Sequence, residues 1–416
     1  MRAEDYSFLD IAFQSGRKQY QIPVYQRNYD WKKDNCLTLF NDILNAYKEE
    51  RSHFLGTIVQ VQQEEEGGIK KYIIIDGQQR MTTIYLLLKA LYDFTDDEND
   101  KKDLCDILFN SNSESKILAK DDKLKLKLKP IKSDNKELLH LMDNEIKSMD
   151  KTSNIFVNYS YFISLIKNAA KDDIKPRNIL TGIKKLKIVL ISLDKEKDDP
   201  QLVFERINST GEDLTLADLI RNYILMTDSN MEVLYEKYWL PIEMKVGRDH
   251  LVDFFQTYLI YKLPDNNKDQ YQSFKAFVSK NKISHEDLLS EMKRLSKYYS
   301  AFVSNSSDYS ERINNALDGF RCLKQATIFP FLFGLFDDFE NAIITEDILY
   351  TALTFFLNYT IRRAITGVPT NSYRGFYKSL YKRIFIASDS KNDYLHSIYS
   401  FMSQLQSNNA VPNDTI

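Results

Sequence analysis

The sequence predicts an α+β domain followed by an all-helical one, and three observations carry that prediction. Phe54 to Val61 and Tyr72 to Ile75 are short runs rich in β-branched and aromatic residues, separated by a polar loop with Glu64, Glu65, Glu66, Gly67 and Gly68, which is the pattern of a hairpin. Ile188 to Leu193 is a further apolar run of strand length, placed to return to the same sheet. From Met231 onward no segment alternates as a strand does. Instead Leu251, Phe254, Phe255, Tyr258 and Leu259, and later Leu353, Phe356, Leu357 and Thr360, recur at helical spacing.

The elements follow in order. Leu37, Phe40, Leu44 and Tyr47 put one apolar face on a helix over residues 34–48. The hairpin then runs into the polar turn Asp76-Gly77-Gln78-Gln79-Arg80, which opens a second helix with Ile84, Leu87, Leu88 and Leu91 as apolar positions. Leu124, Leu126 and Leu128 alternate with Lys123, Lys125, Lys127 and Lys129, which predicts a strand with an all-lysine outer face. Such a strand reads first as a sheet edge guarded by its charges, and only second as a DNA contact. Helices are predicted at 135–149 and 154–171, and Pro176 suits the first turn of the next. Residues 95–185 thus form a helical insertion between strands. Asp198 and Asp199 before Pro200 read as helix-capping residues rather than metal ligands. Thr215 and Asp218 read as a capping box before Leu219, Ile220 and Tyr223. The expected division is residues 1–226 for the α+β domain and 227–416 for the helical one.

Composition narrows the function classes. A chain of 416 residues exceeds one ordinary core, and a 43% apolar content is ample for packed domains. Cys36, Cys105 and Cys322 are far apart, without the spacing of a disulfide framework or a zinc ribbon, and fit a reducing cytosol. Glu4, Asp5 and Asp10 stand where a signal peptide would be basic and then apolar, and the run Ile328 to Phe336 is too short to cross a bilayer. A cytoplasmic protein without membrane attachment is expected.

The net charge of −3 gives no global pull toward nucleic acid. Between Ile361 and Phe385, however, Arg362, Arg363, Arg374, Lys378, Lys382 and Arg383 gather without an acidic residue. Tyr373, Phe376, Tyr377 and Tyr381 are interleaved with them, which suits phosphate contacts plus base stacking. Aromatic residues at helical spacing equally suit a core, and the two readings stand level.

The turn at Asp76 to Arg80 concentrates the chemistry. A helix start aims backbone N–H groups and the helix dipole at one point, and Arg80 adds a fixed positive charge, so the turn calls for an anion such as phosphate. Arg27, Asp76, Gln78, Gln79 and Arg80, joined by Asn208 and Gly211 from a later turn, offer groups for phosphate oxygens, for a divalent cation and for an attacking water. Gly67-Gly68-Ile69-Lys70 lacks the spacing of a Walker A loop. His53 reads as structural, and His140, His250, His285 and His396 are scattered.

Asp-Gly-Gln-Gln-Arg at 76–80, followed by Thr82 and Thr83, resembles the signature of the GmrSD-type restriction endonuclease N-terminal domain. Residues 22–31 (Ile22 to Trp31), 53–59 (His53 to Val59) and 204–211 (Phe204 to Gly211, with Leu214 and Thr215) resemble its other segments in the same order. The resemblance implies a ParB/sulfiredoxin-like fold, in which a Gly-containing strand-to-helix turn contacts a nucleotide. It implies nucleoside triphosphate and Mg2+ as cofactors. Arg27, Gly77, Arg80, Thr82, Thr83, Asn208 and Gly211 would then bind, Asp76, Gln78, Gln79 and Arg80 would catalyse, and Asp76 would hold the metal. The implied activity is nucleotide hydrolysis that regulates restriction of modified phage DNA.

A nuclease domain, in cis or in trans, is expected as a partner, because no His-Ile-x-Pro-like element occurs and Ala410 to Ile416 resembles the segment that leads into such a domain. Two alternatives remain open: a DNA-binding clamp or sensor that binds nucleotide without turnover, and a metal-dependent nuclease in its own right. A homo-oligomer is compatible with the sequence but not read from it.

Overall fold

The computed structural model describes residues 2–14, 16–111, 118, 123–194, 197–208, 214–226, 230–264, 269–304, 307–386 and 391–412. The chain divides into two compact units, Met1–Leu214 and Thr215–Ile416. The boundary expected at 226 lies one helix into the second unit.

Unit 1 runs β1 (Arg2–Ser7), β2 (Lys18–Gln21), α1 (Lys33–Lys48), β3 (His53–Gln62), β4 (Lys70–Asp76), α2 (Gln78–Phe94), α3 (Glu98–Leu108), β5 (Leu128–Lys129), α4 (Lys132–Met142), α5 (Asn154–Lys171), α6 (Pro176–Lys184), β6 (Leu186–Leu193) and α7 (Pro200–Asn208). The strands form one sheet in the order β1-β6-β3-β4-β2-β5. The predicted hairpin pairs β3 with β4 antiparallel, and β6 returns beside β3 in parallel. Helices α3 to α6 fill the predicted insertion. β1 and β2 escaped the sequence reading because their residues are polar. Gln19 is buried in β2, its Nε2 donating to the carbonyls of Lys123 and Leu126, so backbone acceptors rather than apolar neighbours satisfy it.

Three expectations change. Helix α1 buries Cys36, Leu39, Phe40, Ile43 and Ala46, so Leu37, Leu44 and Tyr47 only flank the stripe that faces the core. Helix α4 starts at Lys132 and ends at Met142, because Asn144 takes a positive φ of 60° that stops it. The all-lysine outer face does not exist. Lys127 is buried and its Nζ donates to the carbonyls of Phe13 and Asp106, while Lys125 pairs with Asp143 at 2.6 Å and lies over the Phe109 ring. Burial pushes the Lys127 ammonium down to about 8, with Asp106 opposing the shift. Only the last two residues of the run, as β5, make the sheet edge.

Helix α2 is the centre of unit 1. It is apolar nearly all round, burying Met81, Ile84, Tyr85, Leu86, Leu87, Leu88 and Leu91, as a helix enclosed by its neighbours must be.

Unit 2 is helical throughout its described residues. It comprises α8 (Leu216–Met226), α9 (Met231–Leu234), α10 (Leu240–Val246), α11 (Leu251–Lys262), α12 (Gln270–Asn281), α13 (His285–Val303), α14 (Glu311–Cys322), α15 (Phe329–Glu340), α16 (Glu346–Ile365), α17 (Tyr373–Tyr381) and α18 (Tyr394–Ser403). The Thr215–Asp218 capping pair opens α8 as predicted, and the stripe on α11 is buried. Asp338 on α15 is a buried carboxylate that accepts from Tyr381 Oη at 2.8 Å, Tyr394 Oη at 2.8 Å and Lys391 Nζ at 2.6 Å, and so ties the C-terminal helices to the core. Among the described residues no helix is long and apolar enough to cross a membrane.

Candidate functional site

Gly77 makes the turn between β4 and α2 possible. Its φ of 95° lies in the left-handed region, and a Cβ there would sit 2.9 Å from Ile58 Cγ1 and 3.3 Å from the Thr57 carbonyl oxygen. The first helical bond, Met81 N–H to Gly77 O at 3.0 Å, closes directly on it.

The polar residues of the turn do not converge. A helix advances roughly 100° per residue, so Arg80 leaves α2 on the side away from Gln78 and Thr82. Arg80 donates to Asp76 Oδ2 at 3.1 Å and to the Leu55 carbonyl at 3.3 Å. Leu55 is the extra residue of a bulge in β3, since Phe54 pairs with Lys187 and Gly56 with Ile188. Gly56, at φ 122°, lets the guanidinium lie across the strand, because a Cβ there would come within 1.9 Å of Arg80 Nη1. The second family-like segment therefore forms the bed for Arg80.

The other face of α2 borders a cavity of about 10 Å³ lined by Ile22, Arg27, Gln78, Gln79, Thr82 and Asp134, among others. Gln78 is 8% exposed and its Oε1 is buried without a hydrogen-bond partner. Segment 22–31 wraps this helix start. Gln26 Nε2 donates to the Ile75 carbonyl at 2.8 Å, and Tyr29 Oη lies 2.7 Å from Thr83 Oγ1. Burial holds the Tyr29 phenol far above its usual range.

The predicted site residues within the described part of the chain separate into groups. Arg27, Gln78 and Thr82 come together at the cavity. Gln79 touches it too, but its carboxamide is committed to the wrapping segment: Oε1 accepts from Asp30 N at 2.9 Å and Trp31 N at 3.3 Å, and Nε2 donates to Asn28 O at 3.0 Å. Thr83 is fully buried between Tyr29 and the Gln79 carbonyl, so it packs and braces rather than facing a ligand. Asp76 and Arg80 hold each other, each side chain 21% exposed. Gly211 and the side chain of Asn208 lie outside the described residues.

Asp134 is the lining residue that sequence reading missed. It stands in the first turn of α4 and accepts from Tyr29 N at 2.7 Å. Its only sequence signal is a capping-type position ahead of a helix, with nothing to connect it to residues 76–80. The Asp76 carboxylate pairs with Arg80, and among the described residues no three His, Cys, Asp or Glu side chains gather. His53 lies 3.5 Å from Asp42, in keeping with a structural role.

In unit 2 the cationic stretch is only partly a surface. Arg363 is fully buried, donating to Tyr359 Oη at 3.0 Å, Pro369 O at 3.0 Å and Ser372 Oγ at 2.9 Å, with the Tyr373 ring 4.2 Å away. It cannot contact DNA without unfolding this corner. Tyr373, Phe376 and Tyr377 are buried, so they do not stack on bases. Arg362 is half-buried and donates to Pro412 O at 3.3 Å. Arg374, Lys382 and Arg383 are exposed and Lys378 is half-buried.

Residues 9–225 match the family described as GmrSD restriction endonuclease, N-terminal domain. No curated protein matches the chain.

Proposed function

The chain belongs to the family of the GmrSD restriction endonuclease N-terminal domain, a restriction family of anti-phage defence whose substrate is DNA, and from that premise we propose that its strand–turn–helix site binds and hydrolyses a nucleoside triphosphate. The observation that carries the proposal is the helix start of α2 on Gly77, with Arg27 beside it at the cavity. Backbone N–H groups, the helix dipole and a guanidinium favour phosphate there. Hydrolysis regulates the restriction of modified phage DNA by a nuclease domain in cis or in trans. Arg374, Lys378, Lys382 and Arg383 are the proposed phosphate contacts on DNA.

A second reading, nucleotide binding without turnover, is favoured by the commitment of Gln79 and Arg80 to protein partners. Thermal shift and phosphate release with the four ribonucleoside triphosphates, with and without magnesium, separate the two. Binding with release supports the hydrolase, and binding without release supports the switch. Neither signal with any nucleotide refutes both. Arg27→Ala should weaken binding roughly 10- to 100-fold, the equivalent of one charged hydrogen bond, whereas Arg80→Ala should change turnover more than binding because Arg80 faces β3.

A further inference from the structure

We propose that Gln78 Oε1 receives a hydrogen-bond donor of the nucleoside, a hydroxyl or an N–H, and that the cavity beside it is a recognition pocket rather than a seat for phosphate. The inference rests on the nucleotide-binding reading and assigns Gln78 to recognition instead of to catalysis.

Size decides first. A cavity of about 10 Å³ takes one water-sized group. A hydroxyl, an amino group or a single phosphate oxygen fits it, whereas a whole phosphate does not. Polarity decides second. Gln78 is nine-tenths buried, and its unpartnered atom is an acceptor. Phosphate oxygens at neutral pH are acceptors as well, so they cannot satisfy it. The Asp134 carboxylate lines the same cavity and favours a donor over an anion for the same reason. Arg27, the cation of the lining, is the group whose charge suits the phosphates. The nucleoside would therefore enter with a donor toward Gln78 and its phosphates toward Arg27 and the start of α2. A buried acceptor left unmatched costs free energy that a ligand donor recovers, and such sites discriminate strongly against analogues that lack the donor.

The test is calorimetry of the full chain with magnesium against the four ribonucleoside triphosphates, their 2′-deoxy and 3′-deoxy analogues, and inorganic tripolyphosphate. The wild-type protein should prefer one ribonucleotide over an analogue or a base lacking the matching donor by about tenfold or more. Gln78→Leu should lose that preference while tripolyphosphate affinity stays within about threefold. Gln78→Glu, which keeps an acceptor and nearly the same shape, should retain the preference, and it covers the case in which the leucine variant does not fold. Wild-type binding of nucleotide without any preference, or a preference that survives Gln78→Leu, would each overturn the inference and leave nucleotide binding standing. In those cases the cavity holds an ordered water or a phosphate oxygen. Failure of the wild-type chain to bind any nucleotide would overturn the functional proposal and this inference together.

Discussion

The start of α2 and the joint between α16 and α17 both hold stretches whose side chains suggest a ligand. Around α2 the structure leaves Arg27 and Gln78 beside a cavity and spends the neighbouring Gln79 and Thr83 on bracing. Around α16 it places the most central cation, Arg363, inside the protein and leaves only the periphery to solvent. Adjacent residues in a helix point in different directions, so a linear count of charges overstates a surface. Arg362 and Arg363 are neighbours in sequence, yet one is half-buried and the other lies in the core.

The largest effect should come from the buried member of that pair. Arg363→Ala empties a large buried volume and strips the donor from Tyr359 Oη, Pro369 O and Ser372 Oγ. A loss of about 3–5 kcal/mol in urea unfolding of the chain is expected. Wild-type stability in this variant would mean that Arg363 is a solvated cation after all, and the contrast with α2 would collapse.

Next comes the bed of Arg80. Gly56→Ala forces a side chain onto a φ of 122° and into the Arg80 guanidinium, and should cost about 1–3 kcal/mol. Combining it with Arg80→Ala removes the clash but not the backbone strain. The double variant should therefore lose less than the sum of the two single losses. Strict additivity would show that the bulge and Arg80 are independent, and that this face of α2 is not a built unit.

These two regions also show what was legible in the sequence. The hairpin, the insertion, the returning strand and the helical second half were all readable, because each carries an apolar period of its own. The polar turn was readable as a helix start on Gly77. What it could not reveal was the direction of each side chain around α2, which the bulge at Leu55 and the wrap of Asn28 to Trp31 decide. Asp134 was invisible for the same reason, since its link to Tyr29 spans the whole of β3, β4 and α2 in sequence. Lys127 misled because a buried lysine bonded to carbonyls leaves the same alternating pattern as a solvated one.

Lys127 supplies a smaller, pH-dependent effect. Its folded-state value, pushed down to about 8 by burial, lies below that of an unfolded lysine, near 10.4. Between these values the unfolded chain binds more protons than the folded one, so stability rises with pH. A gain of about 1 kcal/mol is expected from roughly pH 7.5 to pH 9, read from urea midpoints, and Lys127→Met should flatten it. A slope that Lys127→Met leaves unchanged would return Lys127 to the solvated face that the alternation suggested.

The smallest effect on the fold, and the sharpest test of the contrast, belongs to the periphery of the cationic stretch. Arg374, Lys378 and Lys382 lie on the outer side of the helical segment whose inner side buries Tyr373, Phe376, Tyr377 and Leu380. Replacing all three with glutamine removes charge without touching that core, so each change should shift stability by no more than about 0.5 kcal/mol. Duplex DNA binding responds differently if these groups reach phosphates, because a phosphate that no cation neutralises keeps its condensed counterion. Affinity should fall, and the slope of log affinity against log salt should shrink by about 0.9 for every phosphate so released from the protein. Arg363 gives the control, since its loss should damage the fold and not the salt slope of whatever folded protein remains. A triple variant with wild-type affinity and slope would leave the stretch as the solvated exterior of a helical core, and DNA contact would then have to be sought on other surfaces of the protein.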